Sequence, residues 1–171
     1  MEIILIAAVT LDGKIARHAA HLSDWTSPED KKLFRTETRR AGVIIIGHNT
    51  FRTLRRPLPG RLHIVLTRDL TDKVNIPGVV EYTTAAPATI AADLAARGYT
   101  RAILVGGAQV NALFLAADLV DEIWLTVEPV IFGQGVGLFV GEAFDRRARL
   151  LSLTPLNADA FLARYSLRPG L

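Results

Sequence analysis

Short apolar runs that end in turns and alternate with helix signatures constrain this chain more than any other feature. Ile3 to Val9, Val43 to Ile46, Leu62 to Thr67 and Ala102 to Val105 are brief and rich in aliphatic residues. Runs of that length read as strands buried on both faces, as in a parallel sheet. Between them lie helix signals. Ser27-Pro28-Glu29-Asp30 offers a serine cap, a proline at the first helical position and acids in the first turn. That helix should run to about Arg40, with Arg39 and Arg40 at its negative end. Asn49 to Leu54 reads as a short helix stopped by Pro57, Pro87 to Arg97 as an Ala-rich helix ended by Gly98, and Ala108 to Ala117 as another.

Val79 to Thr83 and Glu122 to Val127 add two strands. Arg147 to Leu153 and Ala160 to Leu167 have no helix between them, so they read as an antiparallel pair. Thr10 to Ser27 reads as a polar loop, and Gly133 to Gly137 as a flexible one. The expected fold class is α/β: a mostly parallel central sheet, helices on both faces, and an antiparallel C-terminal edge hairpin. One domain over residues 1–171 suits the length, which can bury a core without staples.

Composition narrows the function. The chain has no cysteine, which removes disulfides and thiolate metal sites and fits a cytoplasmic protein. No run of 18 apolar residues suggests a membrane span, and no basic leader opens the sequence. Twenty basic residues against 17 acidic ones leave a net charge of +3. Pairs such as Arg39-Arg40, Arg55-Arg56 and Arg146-Arg147 are scattered rather than gathered in a stripe, so they read as solvated surface and not as a nucleic-acid face. His18 and His21 lie three apart without a third ligand at suitable spacing, so no metal site is expected. Trp124, between Ile123 and Leu125, reads as packing or a dimer surface.

Three motifs carry chemistry. Val105-Gly106-Gly107-Ala108 joins a strand to a helix, and Gly47-His48-Asn49-Thr50 repeats that geometry after Ile46. Glycine permits close backbone approach, and a helix start offers free N–H groups to a phosphate. Such turns also need glycine for steric reasons alone, and no third glycine completes a dinucleotide fingerprint. Two of them at strand ends suit a dinucleotide in the crevice of an open α/β sheet. Next, Trp25 precedes Asp30 and Phe34, which share a helix face. A carboxylate beside an aromatic ring could hold a cyclic amidine or amide by paired hydrogen bonds; otherwise Asp30 merely complements the helix dipole. Last, Arg56-Pro57-Leu58-Pro59-Gly60-Arg61 is a stiffened loop. Its Arg61 could grip a carboxylate bidentately or sit solvated on a rigid turn.

In their order and spacing these pieces resemble the dihydrofolate reductase superfamily over most of the chain. Trp25-x-x-Pro28-x-Asp30-x-x-x-Phe34 is similar to its substrate helix, Gly47-His48-Asn49-Thr50-Phe51 to its Gly-Arg-x-Thr-Trp turn, and Leu125-Thr126 to its substrate-side strand. The proline-rich hexapeptide ending at Arg61 and the Gly106-Gly107 turn also resemble family motifs. The resemblance implies an NADPH-dependent reductase acting on a small-molecule ring. Trp25, Asp30 and Thr126 would form the catalytic group, and Ala8, Phe34, Phe51 and Arg61 would contact substrate. Ala8, Ile15, Gly47, His48, Asn49, Thr50, Thr67, Arg68, Val105, Gly106, Gly107, Ala108, Gln109 and Val110 would contact cofactor. The family arginine after the first glycine is His48 here, and Gln109 and Asn111 replace an arginine and a tyrosine; Arg52 or Arg68 could compensate.

Thr10-Leu11-Asp12-Gly13-Lys14-Ile15-Ala16 also resembles a signature of riboflavin-pathway pyrimidine reductases, as do Leu119 to Glu122 and Pro129 to Gly133. The implied activity is reduction of 7,8-dihydrofolate to tetrahydrofolate. Reduction of 5-amino-6-(5-phosphoribosylamino)uracil, or a non-catalytic nucleotide-binding module, are the alternatives. The loop over Ala16 to Asp24 reads as a lid that admits a proton-donating water. The family's branches are monomeric or homodimeric, so either state is expected.

Overall fold

The computed structural model describes residues 1–168; the last three residues of the expected domain lie outside that range. In chain order the elements are β1 (Glu2–Thr10), β2 (Lys14–Ala16), a 3-10 turn (Ser23–Trp25), α1 (Pro28–Ala41), β3 (Val43–Gly47), α2 (His48–Thr53), β4 (Leu62–Leu66), β5 (Val80–Thr83), α3 (Pro87–Ala96), β6 (Arg101–Leu104), α4 (Ala108–Ala116), β7 (Glu122–Glu128), β8 (Val136–Gly137), β9 (Arg149–Pro155) and β10 (Phe161–Ser166).

Eight strands form one sheet in the order β5-β4-β3-β6-β1-β7-β10-β9. The first six run parallel, and β10 and β9 add the expected antiparallel edge. The chain winds outward from β3 to β5, then returns to insert β6 between β3 and β1. The strand order therefore switches at β1, and the crevice beyond the C-terminal ends of β1, β3, β6 and β7 is where such sheets bind ligands.

Side-chain alternation explains why both faces are covered. Ile3 and Leu5 of β1 join Val43, Ile45 and Leu104 on one face, packed by Ile90 and Leu94 of α3 and Val110, Phe114 and Leu115 of α4. Ile4 and Ile6 point the other way, with Ile44 and Ile103, against Leu33 and Phe34 of α1. Each fully buried aliphatic side chain contributes about 1.5–3 kcal/mol. A run such as Val43-Ile44-Ile45-Ile46, buried throughout, is thus used on both sides. Trp124 is packed inside as well: its indole N–H donates to Glu122 at 2.7 Å, and the Arg164 guanidinium lies 3.8 Å over its ring.

Caps define α1 as expected. Ser27 accepts from the Asp30 N–H, and Gly42, at φ 73°, closes the C-terminus by donating to Thr38 and Arg39 carbonyls. Two loop expectations need correction. The Thr10 to Ser27 segment contains β2 and the 3-10 turn, and the Gly133 to Gly137 segment contains β8, which pairs with β2 as a second small sheet. Strands of three and two residues carry no readable periodicity. Gly135 explains their close approach, since a Cβ there would stand 2.5 Å from the Ala16 carbonyl oxygen.

Candidate active site

One end of the crevice is built by β1, β7 and the first turn of α1. Ala8 and Thr126 are register partners across the parallel β1–β7 pair, and Asp30 enters from α1, where the Ser27 cap fixes its backbone. Asp30 is 8% exposed. Burial pushes its carboxyl above the ordinary carboxylate range, opposed by the hydroxyls of Thr126 and Thr26 and by Lys31, and reinforced by the Glu128 carboxylate. Both threonine hydroxyls stand close enough to favour the Asp30 anion, yet neither closes a hydrogen bond within the described residues. Buried polar atoms are nearly always paired, so the Asp30 carboxyl and the two threonine hydroxyls beside it form one buried polar cluster.

Phe34, four residues after Asp30 on α1, is half-buried and packs with Leu33, Ile6 and Ile44. Trp25 ends the 3-10 turn that leads into this helix, and its ring stands edge-on to Phe132 at 5.1 Å. The structure therefore brings Ala8, Asp30 and Thr126 together, with Phe34 one helical turn further along α1, while the Trp25 ring packs on Phe132.

Arg61 is 6% exposed rather than solvated. Its Nε donates to the Pro59 carbonyl at 3.2 Å, and a terminal nitrogen donates to the Thr38 hydroxyl of α1. Burial, with Arg39 and Arg35 close by, lowers its pKa. The loop behind it is pinned by His63, fully buried, whose Nε2 accepts the Leu58 N–H at 3.0 Å while Nδ1 faces the Val79 carbonyl at 2.9 Å. A prearranged guanidinium with two arginine neighbours and, among the described residues, no carboxylate partner is suited to an anionic group.

At the other end the two glycine turns meet. The Gly47 N–H donates to the Gly106 carbonyl at 2.6 Å, and the Gly106–Gly107 peptide is cis. A Cβ on Gly107 would stand 2.9 Å from the Thr50 hydroxyl, and one on Gly47 would stand 3.0 Å from a Val110 methyl. His48, Asn49 and Thr50 open α2; Ala108, Gln109 and Val110 open α4 after Val105. Thr67 follows β4 and accepts the Asp69 N–H, while Arg68 reaches Gln109 at 3.4 Å. His48 is held below the ordinary imidazole range by burial and by the cations Lys73 and Arg52. Buried Asn111 donates to the Leu138 carbonyl at 3.0 Å and keeps its Oδ1 without a partner. This is a glycine-lined cradle among cations, the chemistry that an anionic dinucleotide requires.

One expectation falls elsewhere. Phe51 packs on Ile46, Val65 and Val80, with its ring edge toward His63 and Tyr82, and the structure does not bring it to Asp30. Helical rotation turns it toward β4 and β5 instead. Ile15 lies on β2, held by β8. The Ala16 to Asp24 segment is stapled to Phe132: the Arg17 guanidinium lies 4.0 Å over that ring and His21 meets its edge. Asp12 reinforces the staple by accepting the Phe132 and Gly133 N–H groups. The sequence reading missed Thr26 and Glu128, because a buried hydroxyl or carboxylate in a loop or at a strand end carries no local signature.

Residues 1–162 match the model of the RibD C-terminal domain family. The dihydrofolate reductase of Neisseria meningitidis serogroup A is 35% identical over 160 residues, 89% of this chain and 91% of that protein. Dihydrofolate reductase type 9 of Escherichia coli is 35% identical over 104 residues, 60% of this chain and 57% of that protein. The solved structure of a diaminohydroxyphosphoribosylaminopyrimidine deaminase/5-amino-6-(5-phosphoribosylamino)uracil reductase from Thermotoga maritima superposes with a TM-score of 0.80 at 18% identity, over 98% of this chain and 56% of that one. At that identity the likeness is one of fold. The matches thus cover little over half the length of the type 9 and Thermotoga proteins. With the family match spanning nearly the whole sheet and both glycine turns, the chain belongs to the RibD C-terminal domain family, with a dihydrofolate-reductase-like fold.

Proposed function

We propose that this chain acts as a single reductase domain that reduces 7,8-dihydrofolate to tetrahydrofolate with NADPH. The observation that carries this reading is the presence of both buried Asp30, beside the hydroxyls of Thr126 and Thr26, and prearranged Arg61. A dihydropterin presents a 2-amino group and a ring N–H that a carboxylate can accept together. The glutamate end of the same molecule presents a carboxylate, which suits Arg61.

The residues then divide by role. Asp30 orients the ring by its far edge, with Thr126 completing the contact, and Phe34 and Ala8 pack on the ring. Trp25 shields this end of the crevice. Gly47, His48, Asn49 and Thr50, with Val105, Gly106, Gly107, Ala108, Gln109 and Val110, hold the cofactor phosphates; Ala8 and Ile15 line the nicotinamide place, and Thr67 and Arg68 lie near a 2′-phosphate. When bound, NADPH supplies the hydride. The chain's own contribution is to hold the ring in reactive geometry. Asp30 is committed to the far edge, so water must bring the proton to the reduced carbon's neighbouring nitrogen. All these groups come from one chain, so a monomer or a homodimer both accommodate the site. A cytoplasmic setting suits the absence of cysteine.

The second reading is reduction of 5-amino-6-(5-phosphoribosylamino)uracil. It is favoured by the clustering of Arg35 and Arg39 around Arg61, which would suit a phosphate as well as a carboxylate. Following nicotinamide absorbance with each substrate separates the two. Turnover of dihydrofolate supports the first reading, turnover of the uracil supports the second, and turnover of neither supports a non-catalytic nucleotide-binding module.

A further inference from the structure

Glu128 ends β7 and is 3% exposed. Its Oε1 accepts twice from Ser27, from the backbone N–H at 2.8 Å and from the hydroxyl at 2.7 Å, across 101 residues of sequence. A serine hydroxyl has one proton to give. Having donated it to Glu128, the Ser27 oxygen accepts the Asp30 N–H at 3.3 Å, which is the cap of α1. A continuous chain of hydrogen bonds therefore runs from a carboxylate on β7, through Ser27, to the backbone of Asp30.

This chain has a mechanical consequence. β7 also carries Thr126, two residues before Glu128, so one strand holds both the hydroxyl beside Asp30 and the anchor of the helix turn that presents Asp30. An apolar residue would fill this strand end without the penalty of burying a carboxylate. Ordinary capping does not need such an anchor, since serine alone satisfies the first turn.

We propose that Glu128 is a positioning residue of this site, holding Asp30 against Thr126 through Ser27. Its charge has a second effect. The groups facing Asp30 are the Thr126 hydroxyl and the Glu128 carboxylate from β7, the Thr26 hydroxyl from the preceding loop, and Lys31 from its own helix. Among them only Glu128 opposes ionisation, adding to the burial of Asp30. The kinetic consequence rests on the reductase reading; the structural one does not.

Two substitutions in the full chain separate geometry from charge. Glu128→Gln keeps an acceptor for both Ser27 donors and removes the charge. Glu128→Ala removes both, and Ser27→Ala, which keeps Glu128 in place, replaces it if that variant does not fold. The measurements are the 13C titration of the Asp30 carboxyl, assigned with Asp30→Asn, and steady-state kinetics with NADPH and dihydrofolate across pH. In Glu128→Gln the Asp30 midpoint should fall, the pH profile of kcat/KM should move with it, and KM should stay close to the parent value. In Glu128→Ala or Ser27→Ala, KM for dihydrofolate should rise about tenfold, as expected for a displaced contact group.

An unchanged or raised Asp30 midpoint in Glu128→Gln overturns the electrostatic part. Parental KM in Glu128→Ala or Ser27→Ala overturns the positioning role. If the parent protein does not turn over dihydrofolate, the dihydrofolate reading fails, while a lowered Asp30 midpoint in Glu128→Gln still upholds the link between the two acids.

Discussion

The backbone N–H of Gly47 donates to the carbonyl of Gly106 over 2.6 Å, which joins the turn after β3 to the turn after β6. The starts of α2 and α4 are thereby held side by side. Two separate glycine turns become one cradle, and that is a tertiary fact that neither glycine pair carries alone.

The cradle leaves no room for a methyl group at Gly107, where a Cβ would stand 2.9 Å from the Thr50 hydroxyl. Gly107→Ala should lower stability by about 1–3 kcal/mol, the usual range for overpacking, and weaken NADPH binding. Adding Thr50→Ala should restore most of the stability. Urea unfolding and NADPH titration of the single and double variants measure both effects.

Asp30→Asn should reduce dihydrofolate turnover at neutral pH by about 10²-fold or more, while NADPH affinity stays near the parent value. Stability should move the other way. Burial raises the folded-state pKa of Asp30 above its ordinary value, so in that window the folded state holds more protons than the unfolded one. Stability then falls as pH rises through the folded pKa. The variant should be more stable than the parent at neutral pH, with the gain vanishing in acid where Asp30 is protonated in both states. Thermal unfolding at several pH values checks this.

His63 has the opposite sign. Burial holds its folded pKa below the ordinary 6.5, and the Leu58 N–H needs Nε2 unprotonated. The unfolded state therefore binds the proton first, and stability should be lost as pH falls from 6.5 through the folded value. Protonation should also loosen the loop that carries Arg61. Amide exchange at Leu58, followed by NMR across that range, should show protection falling as pH drops, once corrected for intrinsic exchange.

Arg61→Lys should raise KM for dihydrofolate by about tenfold, because an ammonium cannot reproduce a planar fork already oriented by Pro59 and Thr38. Turnover at saturation should change little, since the proposed role of Arg61 is to hold the carboxylate end of the substrate and not its reacting ring. Steady-state kinetics separates KM from kcat.

The layered fold was legible because its strands are aliphatic runs between capped helices. Val43 to Ile46 and the Ser27-Pro28 helix start announce themselves locally. The shared helix face of Asp30 and Phe34 was legible too, since they lie four residues apart on α1. What was not legible depends on contacts distant in sequence. Glu128 reaches Ser27 across 101 positions, and β2 finds β8 with only two or three residues on each side. Phe51 had the right motif, yet its helix turns it toward His63 and Tyr82. Arg61 read equally well as a solvated turn residue until the fold buried it.

In the proposed function one crevice holds NADPH and a dihydropterin ring for reduction. Its most direct test is the loss of reduced-nicotinamide absorbance when purified protein and NADPH meet dihydrofolate or, in parallel, 5-amino-6-(5-phosphoribosylamino)uracil. Steady loss is expected with dihydrofolate, slowed about 10²-fold or more by Asp30→Asn, and little with the uracil. Loss with the uracil alone, or with neither substrate, would contradict it.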